Sequence, residues 1–353
     1  MDETLRKLLL LTAEQGASDL HLMPARFPTI RKDGILIPLT DFPLLNKQQV
    51  EKMLFSLLNE DQKESLANYK QLDLSFSLED KARFRVNIYE QFHGLSAAFR
   101  YIPGEIKSIE ELNLPPILSE FVKKRQGFLL VTGPAGAGKS TTLAALIDEI
   151  NHSRPAHIIT IEEPIEYIFL PDKALFSQRE IPRDAKDWHS ALRAALREDP
   201  DVIMIGELRD SESISIALTG AETGHLVLGT MHTNSASQTI DRILDVLPEH
   251  QKNQARFQLA STLIGVISQR LVPTLQGGRV PACEILIANN AVRNLIRENK
   301  VYQIDLVIET SLEEGMISLD RSLANLVQQS IINLESAIEF SLNPTRLKYL
   351  LES

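Results

Sequence analysis

The sequence predicts an α/β protein of two domains: a larger carboxyl-terminal one built on a largely parallel sheet, and a smaller amino-terminal α+β one. Three observations carry this. The chain has 353 residues, enough for two separate cores. Past about residue 118, apolar runs at 128–131, 157–161, 202–205 and 226–228 alternate with helical stretches, as a parallel sheet covered on both faces requires. Finally, Gly133-Pro134-Ala135-Gly136-Ala137-Gly138-Lys139-Ser140 matches the phosphate-loop pattern G-x-x-x-x-G-K-[ST], between one such run and the helix-favouring stretch 142–149.

The elements follow in order. Leu5, Leu8, Leu9 and Ala13 fall on one face of an amphipathic helix that Asp2 or Thr4 would cap. The apolar run 8–11 after Arg6 and Lys7 is too short for a secretory signal, and Glu14 interrupts it. Asp33-Gly34 between short apolar runs predicts a hairpin over 29–37, and helical periodicity covers 46–68. Residues 83–88 alternate strictly, placing Phe84, Val86 and Ile88 on a core face and Arg83, Arg85 and Asn87 on the other. Proline and glycine punctuate 102–116, so the expected organisation is a domain at 1–103, a linker at 104–117 and a second domain at 118–353. Farther on, Ala260, Leu263, Ile264, Ile267 and Leu271 read as one helical stripe over 254–271, and the region after about 285 reads as mainly helical.

Composition narrows the function classes. With 43% hydrophobic and 24% charged residues the chain is an ordinary globular one, and its net charge of −10 argues against a nucleic-acid track, which Lys and Arg would have to line. The single cysteine, Cys283, excludes an intramolecular disulfide and a four-cysteine zinc site. No stretch approaches the roughly 18 uncharged apolar residues of a membrane span. A soluble protein of the cytoplasm, where ATP is available, is the expectation.

The loop supplies the chemistry. Its glycines let the backbone curl without Cβ clashes, so that N–H groups converge on a polyphosphate at a helix N-terminus. Gly133, Pro134, Ala135, Gly136, Ala137, Gly138, Lys139, Ser140 and Thr141 are therefore the expected nucleotide-binding residues, with Lys139 reaching the β/γ-phosphates and Ser140 the Mg²⁺ ion. Ligands of parallel sheets sit at the carboxyl ends of the strands, where two acidic groups stand. Glu207 ends the run 202–205 and, with Glu163, is an expected metal-side acid; Glu166 is the expected base, with Glu162 or Glu163 as alternatives. Such a base typically contributes on the order of 10²–10⁴ in rate. His232, at the carboxyl end of a short buried run, is placed to hydrogen-bond a γ-phosphate. Arg83 with Arg85, and Arg193 with Arg197, are pairs that share a face, either as plain solvent-facing polarity or to stabilise phosphate charge in a neighbouring subunit.

Taken together, Ala17-Ser18-Asp19-Leu20-His21-Leu22, the loop, residues 160–167, Asp199-Pro200-Asp201 with Gly206-Glu207-Leu208-Arg209-Asp210, and Ala221-Glu222-Thr223-Gly224-His225 resemble the secretion ATPase superfamily, nearly end to end. Ala291-Val292-Arg293-Asn294-Leu295-Ile296-Arg297-Glu298 resembles the signature of its branch that retracts type IV pili. That resemblance implies a PAS-like amino-terminal domain, a RecA-like P-loop NTPase domain with a helical carboxyl-terminal region, and a homohexamer that binds ATP and Mg²⁺. It further implies an inner-membrane platform protein as partner, a second retraction ATPase as a further one, and action at the cytoplasmic face of the inner membrane. The implied roles are an acidic box at Glu162, Glu163 and Glu166, a Walker B acid at Glu207, a histidine box at His225 and His232, and catalytic arginines at Arg83 and Arg85. Glu163 stands where the superfamily usually has aspartate.

Assembly and type II secretion relatives carry an extra amino-terminal domain and a tetracysteine zinc motif, and one cysteine cannot supply the latter. An accessory retraction ATPase is a closer alternative. A RecA-like nucleic-acid motor is the alternative of a different class, and the acidic balance weighs against it.

Overall fold

Leucine spacing near the N-terminus produces helix α1 (Glu3–Glu14), capped by the Asp2 carboxylate, which accepts from the N–H groups of Thr4 and Leu5. It buries Leu5, Leu8 and Leu9, with Ala13 partly buried against the same core, and Thr12 is a further buried residue. The Thr12 hydroxyl donates to the Leu8 carbonyl at 2.7 Å, so the helix itself satisfies this buried polar group. The computed structural model describes residues 1–32, 34–78, 82–102, 104 and 106–352. It divides into one unit of Met1–Glu105 with Pro164–Ile168, and a second of Ile106–Glu163 with Phe169–Ser353.

In the first unit, strands β1 (Asp19–Leu22), β2 (Thr29–Lys32), β3 (Ile35–Pro38), β4 (Gln71–Leu78), β5 (Ala82–Gln91) and β6 (Gly94–Ile102) form an antiparallel sheet in the order β3-β2-β1-β6-β5-β4. Lys32 pairs with Ile35 across the predicted hairpin; Asp33 of its turn lies outside the described residues. The helical stretch 46–68 is two helices, α2 (Lys47–Phe55) and α3 (Glu60–Tyr69). Asn46 with Gln49, and Asn59 with Gln62, form a capping box at the start of each. Along β5, Phe84, Val86 and Ile88 are fully buried while Arg85 is exposed, as strict alternation dictates.

The second unit is built on a seven-stranded sheet of β7 (Gly127–Thr132), β8 (His157–Glu162), β9 (Leu175–Glu180), β10 (Val202–Ile205), β11 (Leu226–Met231), β12 (Leu263–Pro273) and β13 (Arg279–Ile287). Its order is β13-β12-β7-β11-β10-β8-β9, and every pairing is parallel except β12 with β13. Around it lie α4 (Leu118–Val122), α5 (Lys139–Ser153), α6 (Trp188–Ala195), α7 (Ser211–Glu222), α8 (Ala236–Val246) and α9 (Glu249–Thr262). The helices α10 (Asn290–Arg297), α11 (Ile304–Thr310), α12 (Leu319–Gln328), α13 (Leu334–Phe340) and α14 (Pro344–Glu352) follow.

The helical stripe expected over 254–271 is corrected: α9 stops at Thr262 and the chain enters β12 at Leu263. Apolar residues three and four apart fit a helix, but Val266 and Ile267 are β-branched, and β7 offers a parallel edge for them to join. A Cβ on Gly265 would meet the Phe121 ring at 2.6 Å, so the strand packs there only because that position is glycine. Of the expected linker, residues from Ile106 onward group with the second unit, where Ile109 and Leu114 are buried. Pro103 and Glu105 lie outside the described residues. Among the described residues no helix is long and apolar enough to cross a membrane.

Candidate active site

Because β7, β11, β10 and β8 run parallel and in register, the residues that follow them emerge along one edge of the sheet. Gly133 follows β7, His232 follows β11, Gly206 and Glu207 follow β10, and Glu163 follows β8. The glycine loop curls between β7 and α5 with Gly133, Gly136 and Gly138 at φ of +144°, +77° and +84°. At Gly133 the demand is also steric, since a Cβ would stand 2.3 Å from the Gln269 carbonyl oxygen. Gly138 caps α5, so Lys139, Ser140 and Thr141 form its first turn, where backbone N–H groups lack intrahelical partners.

Lys139 is buried, and its ammonium donates to the carbonyls of Gly133 and Pro134, each at 3.0 Å. It also stands 3.4 Å from His232 Nδ1. Nε2 in turn lies 3.4 Å from Glu207 Oε1. Glu207 Oε2 accepts from Arg209 Nη2 at 2.8 Å, and Arg209 Nη1 lies 3.9 Å from Glu163 Oε2. That Glu163 oxygen also accepts from the indole N–H of Trp188 at 2.9 Å. A continuous string of polar contacts therefore runs from the loop lysine to both expected metal-side acids.

Burial works to raise the Glu207 carboxyl. The Arg209 hydrogen bond, with the charges of Arg209, His232 and Lys139, outweighs it and holds the group below the ordinary carboxylate value. Glu162 is buried and accepts from the Thr160 hydroxyl at 2.8 Å.

Not every expected residue stands in this string. Glu166 lies in Pro164–Ile168, which groups with the first unit, as do Arg83 and Arg85 on β5. Arg83 lies 3.5 Å from the Ser77 hydroxyl, and Arg85 pairs in register with Arg100. His225 sits at the opposite end of β11 from His232, about 20 Å away at the rise of a strand. Its Nδ1 donates to the Gly220 carbonyl at 2.9 Å, closing the end of α7 rather than facing the loop. Arg193 pairs with Glu212 of α7 at 2.6 Å, which accounts for its charge, while Arg197 lies beyond the end of α6. Sequence reasoning gave no role to Arg209, although it quoted the motif that holds it, and missed Trp188 and Gln269 altogether. Glu207 and Arg209 are two apart, but nothing local signals that Trp188 reaches Glu163, 25 residues away.

The profile of the family described as type II/IV secretion system protein matches residues 2–303. The chain is 46% identical over 333 residues to the type IV pilus retractation ATPase PilT of Pseudomonas aeruginosa, covering 94% of this chain and 96% of that one. It is 48% identical over 311 residues to a twitching motility protein of Neisseria gonorrhoeae, covering 88% and 83%. Among solved structures, the pilus retraction motor PilT with bound ADP matches with a TM-score of 0.91 at 45% identity, over 98% of both chains.

Proposed function

This chain belongs to the type II/IV secretion system protein family, and from that premise we propose that it is an ATP-hydrolysing motor, assembled as a homohexamer, that drives retraction of type IV pili. Its second unit is a RecA-like P-loop NTPase domain and its first a smaller PAS-like α+β domain. The observation that carries the reading is the string of contacts from Lys139 through His232, Glu207 and Arg209 to Glu163, at the mouth of a glycine loop.

The residues fit a magnesium-bound triphosphate. The loop and the first turn of α5 present backbone donors, and Ser140, Glu207 and Glu163 present oxygens. Among the described residues no group of three or more His, Cys, Asp or Glu could hold a metal by itself. Mg²⁺ suits that donor set, because it takes one or two carboxylates and completes its shell with phosphate oxygens and water. When bound, it would supply positive charge against the charge that develops on the phosphates.

The side chains divide the remaining work. Lys139 would exchange its two loop carbonyls for β- and γ-phosphate oxygens. Glu207, kept ionised by Arg209, would serve the metal side, and His232 would offer a ring N–H to the γ-phosphate. Glu166 would deprotonate the attacking water, while Arg83 and Arg85 of a neighbouring copy would stabilise the charge that accumulates. Hydrolysis around the ring would act on a platform protein at the cytoplasmic face of the inner membrane and draw pilin subunits back. Deleting the gene in its host tests this: surface pili should persist, or accumulate, without retracting. Loss of pili would instead assign the chain to assembly.

A further inference from the structure

Resting on that nucleotide-binding reading, we infer that Gln269 is a positioning residue for the phosphate loop, one whose buried amide grips both the loop and the helix behind it. The parallel register pairs Ser268 of β12 with Thr132, the last residue of β7, so Gln269 falls beside Gly133 where the loop begins. The side chain is 1% exposed. Its Nε2 donates to the Ala137 carbonyl at 2.6 Å, and its Oε1 accepts from the Thr142 hydroxyl at 2.8 Å. The two contacts fix each other. Ala137 offers only an acceptor there, so turning the amide over would set Oε1 against that carbonyl; the orientation that keeps both contacts leaves Oε1 to accept from Thr142.

The peptide between Ala137 and Gly138 is planar and trans, so its C=O and N–H point to opposite sides. Tying the carbonyl to Gln269 turns the Gly138 N–H away from β12. Should that peptide flip, a carbonyl oxygen would replace an amide donor in the loop and repel phosphate. Glycine at 138 makes such a flip inexpensive, since φ of either sign is open to it. Gln269 opposes it from a strand, a more rigid support than the loop itself has. A Cβ at Gly138 would stand 3.1 Å from Gln269 Nε2, which shows how closely the amide is pressed against this peptide. Gln269 never needs to touch the nucleotide; its effect runs through Ala137, Gly138 and Thr142.

The test uses the full chain, with steady-state ATPase kinetics and calorimetric titration with ADP. Gln269→Glu preserves shape and the acceptor for Thr142, but sets a second acceptor against the Ala137 carbonyl. The KM for ATP and the Kd for ADP should rise at least ~10-fold, with kcat at saturating ATP lowered less than ~3-fold, because only loop geometry has been disturbed. Thr142→Val should shift both constants the same way by a smaller factor, and Thr142→Ser, which keeps the hydroxyl, should restore them. Wild-type affinity in Gln269→Glu, or a fall in kcat at unchanged KM, overturns the assignment. If Gln269→Glu does not fold, equal ADP affinity in Thr142→Val and Thr142→Ser overturns it as well. Lys139→Ala is run alongside. An inert wild type sinks the nucleotide reading and this inference together, whereas an active wild type, a dead Lys139→Ala and an unaltered Gln269→Glu sink this inference alone.

Discussion

At the scale of single residues the second unit concentrates charge in a narrow place. Arg209 stands between two carboxylates, bonding Glu207 at 2.8 Å and approaching Glu163 at 3.9 Å, and its hydrogen bond and charge help hold Glu207 below the ordinary carboxylate value despite burial. A carboxyl held low, as that of Glu207 is, serves a metal well and a proton-accepting step less well. Glu166 is thus the better candidate for the base. Glu166→Gln should retain ATP binding while hydrolysing it at least ~10²-fold more slowly in single-turnover assays. Undiminished turnover would move the base to Glu162 or Glu163. The loop was legible in the sequence because a phosphate cradle is a local device, its glycines and lysine all within one turn of chain. Arg209 and Gln269 were not, because their roles arise from contacts that only the sheet creates: Gln269 is 132 residues from Ala137, and no spacing rule spans that distance.

Among the elements, Glu284 of β13 works as a peg for helices that arrive from different parts of the chain. Its Oε1 accepts the Ala236 N–H at 2.7 Å, at the start of α8, and the Leu319 N–H opens α12 against the same carboxyl. Burial first, with Asp305 and Asp320 nearby, pushes this carboxyl up to about 7 from an ordinary value of 4.5, although both N–H groups pull it down. The folded chain therefore holds the proton more tightly than the unfolded one. That contribution to stability is complete below about pH 4.5 and is lost as pH rises through about 7, a change of about 3 kcal/mol. Glu284→Gln keeps an acceptor for Ala236 and removes the titration, so urea midpoints measured between pH 5 and 7 should vary less with pH than in wild type. An equal slope in both proteins would place the effect on other groups. Element type was readable where a periodic run was long, as in α1 and β5. It failed at 254–271, where the same residues satisfy a helical stripe and a strand, and pairing with β7 decided in favour of the strand beyond Thr262.

For the molecule as a whole, the residues proposed for phosphate chemistry are divided between the two units: the loop, Glu207 and His232 belong to the second, and Arg83, Arg85 and Glu166 to the first. If the arginines serve a neighbouring copy, specific activity should climb with protein concentration as rings assemble, and Arg85→Ala should remove the climb. A dilute monomer with full specific activity would exclude that role. Prolines and a glycine near residue 104 are visible to a reader of the sequence, whereas the assignment of Pro164–Ile168 to the first unit is not, because it depends on spatial neighbours alone. That short return has a topological consequence. The polypeptide crosses from one unit to the other at 105/106, 163/164 and 168/169. A protease that nicks the chain near residue 105 therefore cannot release the first unit whole, since a piece of it remains stitched into the fragment that carries the second.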